Sequence, residues 1–142
     1  MDLEKNKAIA RRFSQVWGKG ELDIIDELAS PELSVNYPIF PHAINGIEAF
    51  KQHLTRFRSA FGDADVQIEE EIAEGDKVVL CVTFSATHQA EYRGIPATGK
   101  RLKWTGIIIY RIVDSKVVEE RGEEDYNAVF LQLGILSGPL AH

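Results

Sequence analysis

Residues 77–92 read KVVLCVTFSATHQAEY, and the fold turns on this stretch. Valine, cysteine, threonine and phenylalanine dominate it, which are residue types suited to a pleated, half-buried surface. Val82, Phe84, Ala86 and His88 share one parity, so they point to one side of a strand. Just upstream, Glu74-Gly75-Asp76 is a hairpin turn, preceded by Val66, Ile68 and Ile72 alternating with Gln67, Glu69 and Glu71. That is a strand with one wet face. Downstream, Arg93 to Gly99 forms a wide turn, and 100–113 is a second long strand with Leu102, Trp104, Ile108 and Tyr110 at one parity. Val113-Asp-Ser-Lys116 turns into a final strand over 116–122.

The first half of the chain has a different period. Ile9, Phe13, Val16 and Trp17 recur at helical spacing, opposite Glu4, Lys5, Lys7, Arg11 and Arg12, and predict a helix over 2–18 capped by Asp2. Leu22, Ile25, Leu28 and Ala29 mark a short second helix before Pro31, and Leu33–Tyr37 reads as a brief strand. Ile47, Phe50, Leu54, Phe57 and Phe61 define the clearest helix, with Asn45 and Glu48 spaced as a capping box. Helices first and a meander afterwards make an α+β domain spanning 1–142. The N-terminal helices are expected to pack against a curled, mainly antiparallel mixed sheet, forming a cone with an internal pocket.

Composition narrows the function. Sixteen Lys and Arg against 22 Asp and Glu give a net charge of −6, which leaves no basic surplus for nucleic acid or an anionic membrane. No apolar run is long enough to span a bilayer, and the start MDLEKNKAIARR is too polar for a secretory signal. One cysteine, Cys81, cannot form an internal disulfide, so a cytoplasmic location is expected. His42, His53, His88 and His142 are too scattered for a metal signature, and no metal or cofactor is expected. Neither a dinucleotide fingerprint, a phosphate loop nor a Gly-x-Ser-x-Gly elbow is present.

The chemistry gathers near the end, in VVEERGEEDYNAVFLQLG, residues 117–134. Asp125 follows the last strand, where a carboxylate can stand at a pocket mouth and exchange protons; equally, Glu123, Glu124 and Asp125 can form a solvated acidic patch. Arg121 has the parity of Val117 and Glu119 and lies within reach of Asp125. Paired, the two would lower the carboxyl's pKa and suit an anion-binding site as readily as a catalytic one. His88 is either an inward-facing proton-transfer group or a histidine bonded to a neighbour near a strand end. Asn36 or Tyr37 can turn a polar group inward, and Trp17, Trp104 and Ile108 are core or cavity wall. Cys81 reads as a small buried hydrophobe. Thr83, Ser85, Ile107 and Ile109 on the outer sheet face leave apolar surface that a sheet-to-sheet homodimer would cover.

Three stretches, Gly46-Ile-Glu-Ala-Phe50 through Asp63, Ala73 through Gly94-Ile-Pro-Ala-Thr-Gly99, and Val118 through Gln132-Leu-Gly134, resemble the SnoaL-like polyketide cyclases. That family belongs to the nuclear transport factor-like α+β superfamily. The resemblance implies a cofactor-independent enzyme that closes a ring by an intramolecular aldol step, or a related isomerisation, on a small-molecule substrate. It assigns Asp125 the acid/base role and His88 a place in the pocket. Two positions depart from the family pattern: Arg121 stands where a tryptophan is common, and Ile108 where a polar residue is. An anion- or aromatic-binding protein using Arg121 is the alternative.

Overall fold

Alternation in the second half of the chain becomes one face of a sheet. The computed structural model describes residues 2–135. Helix α1 (Leu3–Ser14) runs into a short 3₁₀ turn at Gln15–Trp17, followed by α2 (Asp23–Leu28). Strands β1 (Ala29–Asn36) and β2 (Ile44–Asn45) precede α3 (Ile47–Ala60). Strands β3 (Asp65–Glu74), β4 (Lys77–Thr87), β5 (Arg101–Val113) and β6 (Lys116–Glu124) form the meander, and α4 (Tyr126–Gln132) closes the described chain. The six strands lie in the order β2-β1-β6-β5-β4-β3. All pairs are antiparallel except β1 with β6. The sheet is therefore mixed and open, with β2 and β3 as its edges. The α+β reading holds.

Helices cover one face. Phe13 of α1 stacks on Phe50 of α3 and meets Tyr110 of β5 edge-on. Val82, Phe84, Ala86 and His88 are all buried there, as are Leu102, Trp104, Ile108 and Tyr110, so the inward parity expected for β4 and β5 is observed. On the other side Ile107 stays 48% exposed.

Besides the earlier start of β1, at Ala29 where the second helix was expected to end, two local features differ from expectation. Asn45 does not cap α3, because its backbone is committed to β2 opposite Ser34. Gly46 takes the cap position at φ 94°, with no side-chain hydrogen bond, a conformation in which a Cβ would be strained. Asp2 does cap α1, accepting from the Lys5 amide at 3.0 Å.

The second difference determines what faces inward on β6. Ile112 pairs with Val117 but Arg111 pairs with Glu119, so the register shifts by one residue between them. Such a bulge puts two residues opposite one and reverses the parity beyond it. Val117 is buried, but after the bulge it is Glu120 and Gly122 that turn inward, while Arg121 is exposed. The alternation that placed Arg121 on the side of Val117 assumed an unbroken strand.

Gly122 is required by the same geometry. A Cβ built there would lie 2.4 Å from Tyr37 Cε1 and 3.0 Å from the Ile107 carbonyl oxygen. Gly122→Ala is expected to cost about 1–3 kcal/mol through overpacking, with Tyr37 displaced from its place. A urea melt checks this; an unshifted midpoint would show that Tyr37 can yield at no cost.

Candidate active site

Strand β6 ends beneath the helices, and a cavity of about 300 Å³ opens between its end, α3, the 3₁₀ turn and the 91–93 turn. Its walls are mainly aromatic: Trp17, Tyr37, Phe57, Phe61, Phe84 and Trp104 all contribute. This is the pattern of a small-molecule site, with apolar walls and a few convergent polar groups. Those polar groups are Glu124, Tyr126, His53, Glu91, Arg56 and Arg93.

Glu124 is inward because its parity follows Glu120 and Gly122. Its Oε1 accepts from Trp104 Nε1 at 2.8 Å, and its Oε2 from the Tyr126 hydroxyl at 2.8 Å. Burial raises the carboxyl's pKa above the ordinary glutamate value, although both donors pull it down. Desolvation in an apolar pocket is the usual way to bring a carboxyl toward working pH. Tyr126 is raised in turn, by its own burial and then by the Glu124 charge, so it remains a hydrogen-bond donor.

His53 sits on α3, three residues from Phe50 and four from Phe57, on the same helix face. Its ring packs against Phe40 at 4.7 Å and Trp17 at 5.7 Å. Burial, then the positive charges of Arg56 and Arg93, push its pKa down to about 4. The imidazole is thus neutral at physiological pH.

Behind the cavity wall lies a second carboxylate. Glu120 is fully buried. Its Oε2 accepts from Trp17 Nε1 at 2.6 Å and from the Tyr37 hydroxyl at 2.5 Å. Oε1 and the Tyr110 hydroxyl are both buried without a well-formed hydrogen bond. They are near enough that each influences the other's ionisation. Burial lifts Glu120 to about 7, the Glu124 charge adds to this, and donation from Tyr37 and Trp17 opposes it. A proton on Oε1 would give that oxygen a hydrogen to offer the Tyr110 oxygen, relieving two unmatched atoms together.

The residues singled out in the sequence separate into four places. Tyr37, Trp17 and Trp104 line the cavity. Ile108 is fully buried core, and His88 is buried beside the cavity but not among its lining residues. His88 Nδ1 lies 2.9 Å from Thr98 Oγ1 and accepts from the Thr98 amide at 3.3 Å. Nε2 is buried without a hydrogen-bond partner among the described residues, and the Nδ1 contacts tie the 98–100 turn to the end of β4. Arg121 and Asn36 fall on the opposite face of the sheet, together with Pro38, Ile107 and Ile109 in a shallow hollow.

Asp125 is exposed and caps α4, accepting from the Ala128 amide at 3.0 Å. It does not line the cavity. Among the described residues no ion pair joins it to Arg121, because β6 sends Arg121 outward while α4 begins at Asp125. Glu124, Glu120 and His53 were not singled out in the sequence. A signal existed for His53 in its helix spacing; for the two glutamates it was hidden by the bulge.

Comparison with known proteins agrees with this architecture. A family model described as SnoaL-like polyketide cyclase matches residues 7–133. Aklanonic acid methyl ester cyclase DnrD of Streptomyces peucetius is 30% identical over 129 residues, covering 89% of this chain and 88% of that protein. Nogalonic acid methyl ester cyclase of Streptomyces nogalater is 29% identical over 120 residues, 81% of this chain and 87% of that one. The crystal structure of AclR, a hydroxylase candidate from Streptomyces galilaeus, superposes with a TM-score of 0.84 at 26% identity, covering 96% of this chain and 89% of AclR. A match over nearly the whole length, with the helices and the mixed sheet in place, makes this chain a member of the SnoaL-like polyketide cyclase family.

Proposed function

We propose that the protein catalyses an intramolecular aldol cyclisation, or a closely related proton transfer, on an aromatic polycarbonyl compound, with Glu124 as the general acid/base. One observation carries this reading: Glu124 is the carboxylate in the aromatic wall whose burial raises its pKa while two donors hold it in place. Glu124 takes a proton from the carbon between two carbonyls, leaving an enolate. The enolate carbon attacks a ketone carbon of the same molecule, forming one carbon–carbon bond. The proton on Glu124 then passes to the new alkoxide. The proton taken is returned, and no electrons leave the substrate.

Other groups have supporting parts. Tyr126 and Trp104 hold the carboxylate by one oxygen each, fixing its orientation before substrate arrives. Phe57, Phe61 and Phe84 supply flat surfaces for a planar ring system and keep water out. Neutral His53 can donate to, or accept from, a substrate carbonyl or hydroxyl. Glu120 is withheld from the substrate by Trp17 and Tyr37, whose rings form the wall in front of it.

Asp125 provides the test. Asparagine caps a helix as well as aspartate does, so Asp125→Asn should leave both the melting temperature and the turnover of the trial substrates, aklanonic acid and its methyl ester, nearly unchanged. Asp125→Ala should cost about 1 kcal/mol of stability through loss of the cap. Turnover lost in Asp125→Asn, with the fold intact, would return the acid/base role to Asp125.

A further inference from the structure

Beyond the acid/base group, the cavity carries charge that aldol chemistry does not use. Arg56 and Arg93 both line it, from α3 and from the 91–95 turn. Both depress the same imidazole, that of His53, so their charges converge on one end of the cavity. Among the described residues neither is ion-paired. In a chain with 22 acidic residues against 16 basic, two unpaired arginines facing one space are a departure from the general balance.

The surroundings hold one of them in position. Arg93 lies over the Tyr92 ring at 5.5 Å, and its Nε donates to the Tyr92 hydroxyl at 3.2 Å. The nearby Glu91 carboxylate is engaged with the turn, where Oε1 accepts the Gly94 amide at 2.5 Å. Glu124, the other carboxylate of the lining, is held by Trp104 and Tyr126. The guanidinium groups therefore have donors to spare, in a fork geometry that matches the two oxygens of a carboxylate.

We infer that the substrate carries a free carboxylate, bound between Arg56 and Arg93 at the cavity mouth while its carbon acid faces Glu124. This rests on the cavity being the substrate site, and it names the substrate class: a planar aromatic acid in preference to its neutral ester. The curated relatives are named for methyl esters, so the preference would distinguish this chain from them.

The full-length protein allows a direct test. Both tryptophans of the chain, Trp17 and Trp104, stand in the cavity wall, so quenching of intrinsic fluorescence reports occupancy of this cavity. The probes are an anthraquinone monocarboxylate and its methyl ester. The acid is expected to bind about tenfold or more tightly than the ester, the size of one charge-assisted contact. The preference should shrink as salt is added. The double variant Arg56→Gln, Arg93→Gln, at two exposed positions, should weaken the acid by that factor and leave the ester unchanged. Equal affinity for acid and ester in the wild type, or a preference surviving in the double variant, would overturn the carboxylate assignment and leave the cavity standing. Quenching by neither probe would overturn both.

Discussion

Replacing Glu124 with glutamine is expected to lower turnover by about 10²–10⁴-fold, the usual contribution of a positioned general base. The substitution keeps the shape of the side chain. Its amide oxygen can still accept from Trp104 Nε1, and its amide nitrogen can donate to the Tyr126 hydroxyl oxygen, so the fold should be retained. What is lost is the capacity to take a proton. With aklanonic acid and its methyl ester as trial substrates, kcat should fall while KM changes little, because the aromatic walls remain.

The pH profile gives a second readout of the same group. A base works in its deprotonated form, so the rate should fall as pH drops through the pKa of Glu124. Because burial raises that pKa above the ordinary glutamate value, the acid limb should lie at higher pH than for an exposed carboxylate. Turnover within a few-fold of wild type in Glu124→Gln would remove Glu124 from the mechanism.

The second large effect belongs to Glu120 and concerns stability. Its carboxyl titrates near 4.5 when unfolded and about 7 when folded. Between those values the folded protein holds a proton that the unfolded chain has lost. Stability therefore falls as pH rises through that window, by about 3 kcal/mol if Glu120 acts alone. It is fully present below the lower value and levels off above the upper one. The groups facing this carboxyl are Trp17, Tyr37, Tyr110 and Glu124. Glu124, raised in the same direction, adds to the slope.

Glu120→Gln removes the titration and keeps an oxygen for Trp17 and Tyr37 to donate to. Urea melts of both proteins across the window should show the wild type losing stability relative to the variant as pH rises. A constant difference between them would mean that Glu120 is ionised throughout. Glu120→Ala should be far worse, leaving buried Trp17 and Tyr37 donors unmatched at about 1–3 kcal/mol each.

Most of the architecture was legible from periodicity. The change from helical spacing in Phe50, Leu54 and Phe57 to strict alternation in 77–88 separates helices from sheet, since both patterns come from backbone geometry alone. Inward positions on β4 and β5 could be assigned for the same reason: those strands pair without interruption from Lys77 to Thr87. His53 was within reach too, lying on the apolar face of α3.

The last strand shows where such reading stops. Local residue types determined that 116–122 is a strand; that it runs on to Glu124, and that Asp125 caps a helix over Tyr126–Gln132, came only from the tertiary structure. Which side chains of β6 enter the cavity was decided only by its pairing with β5. One unpaired residue near Val118 reverses the alternation, sending Arg121 to the outer face and bringing Glu120 and Glu124 beneath the helices. A bulge depends on the register between two strands, and no local pattern in either strand encodes it. The burial that raises both carboxyls depends in turn on Trp17, Tyr37 and Trp104, which are remote in the chain and meet these glutamates only when the domain is assembled.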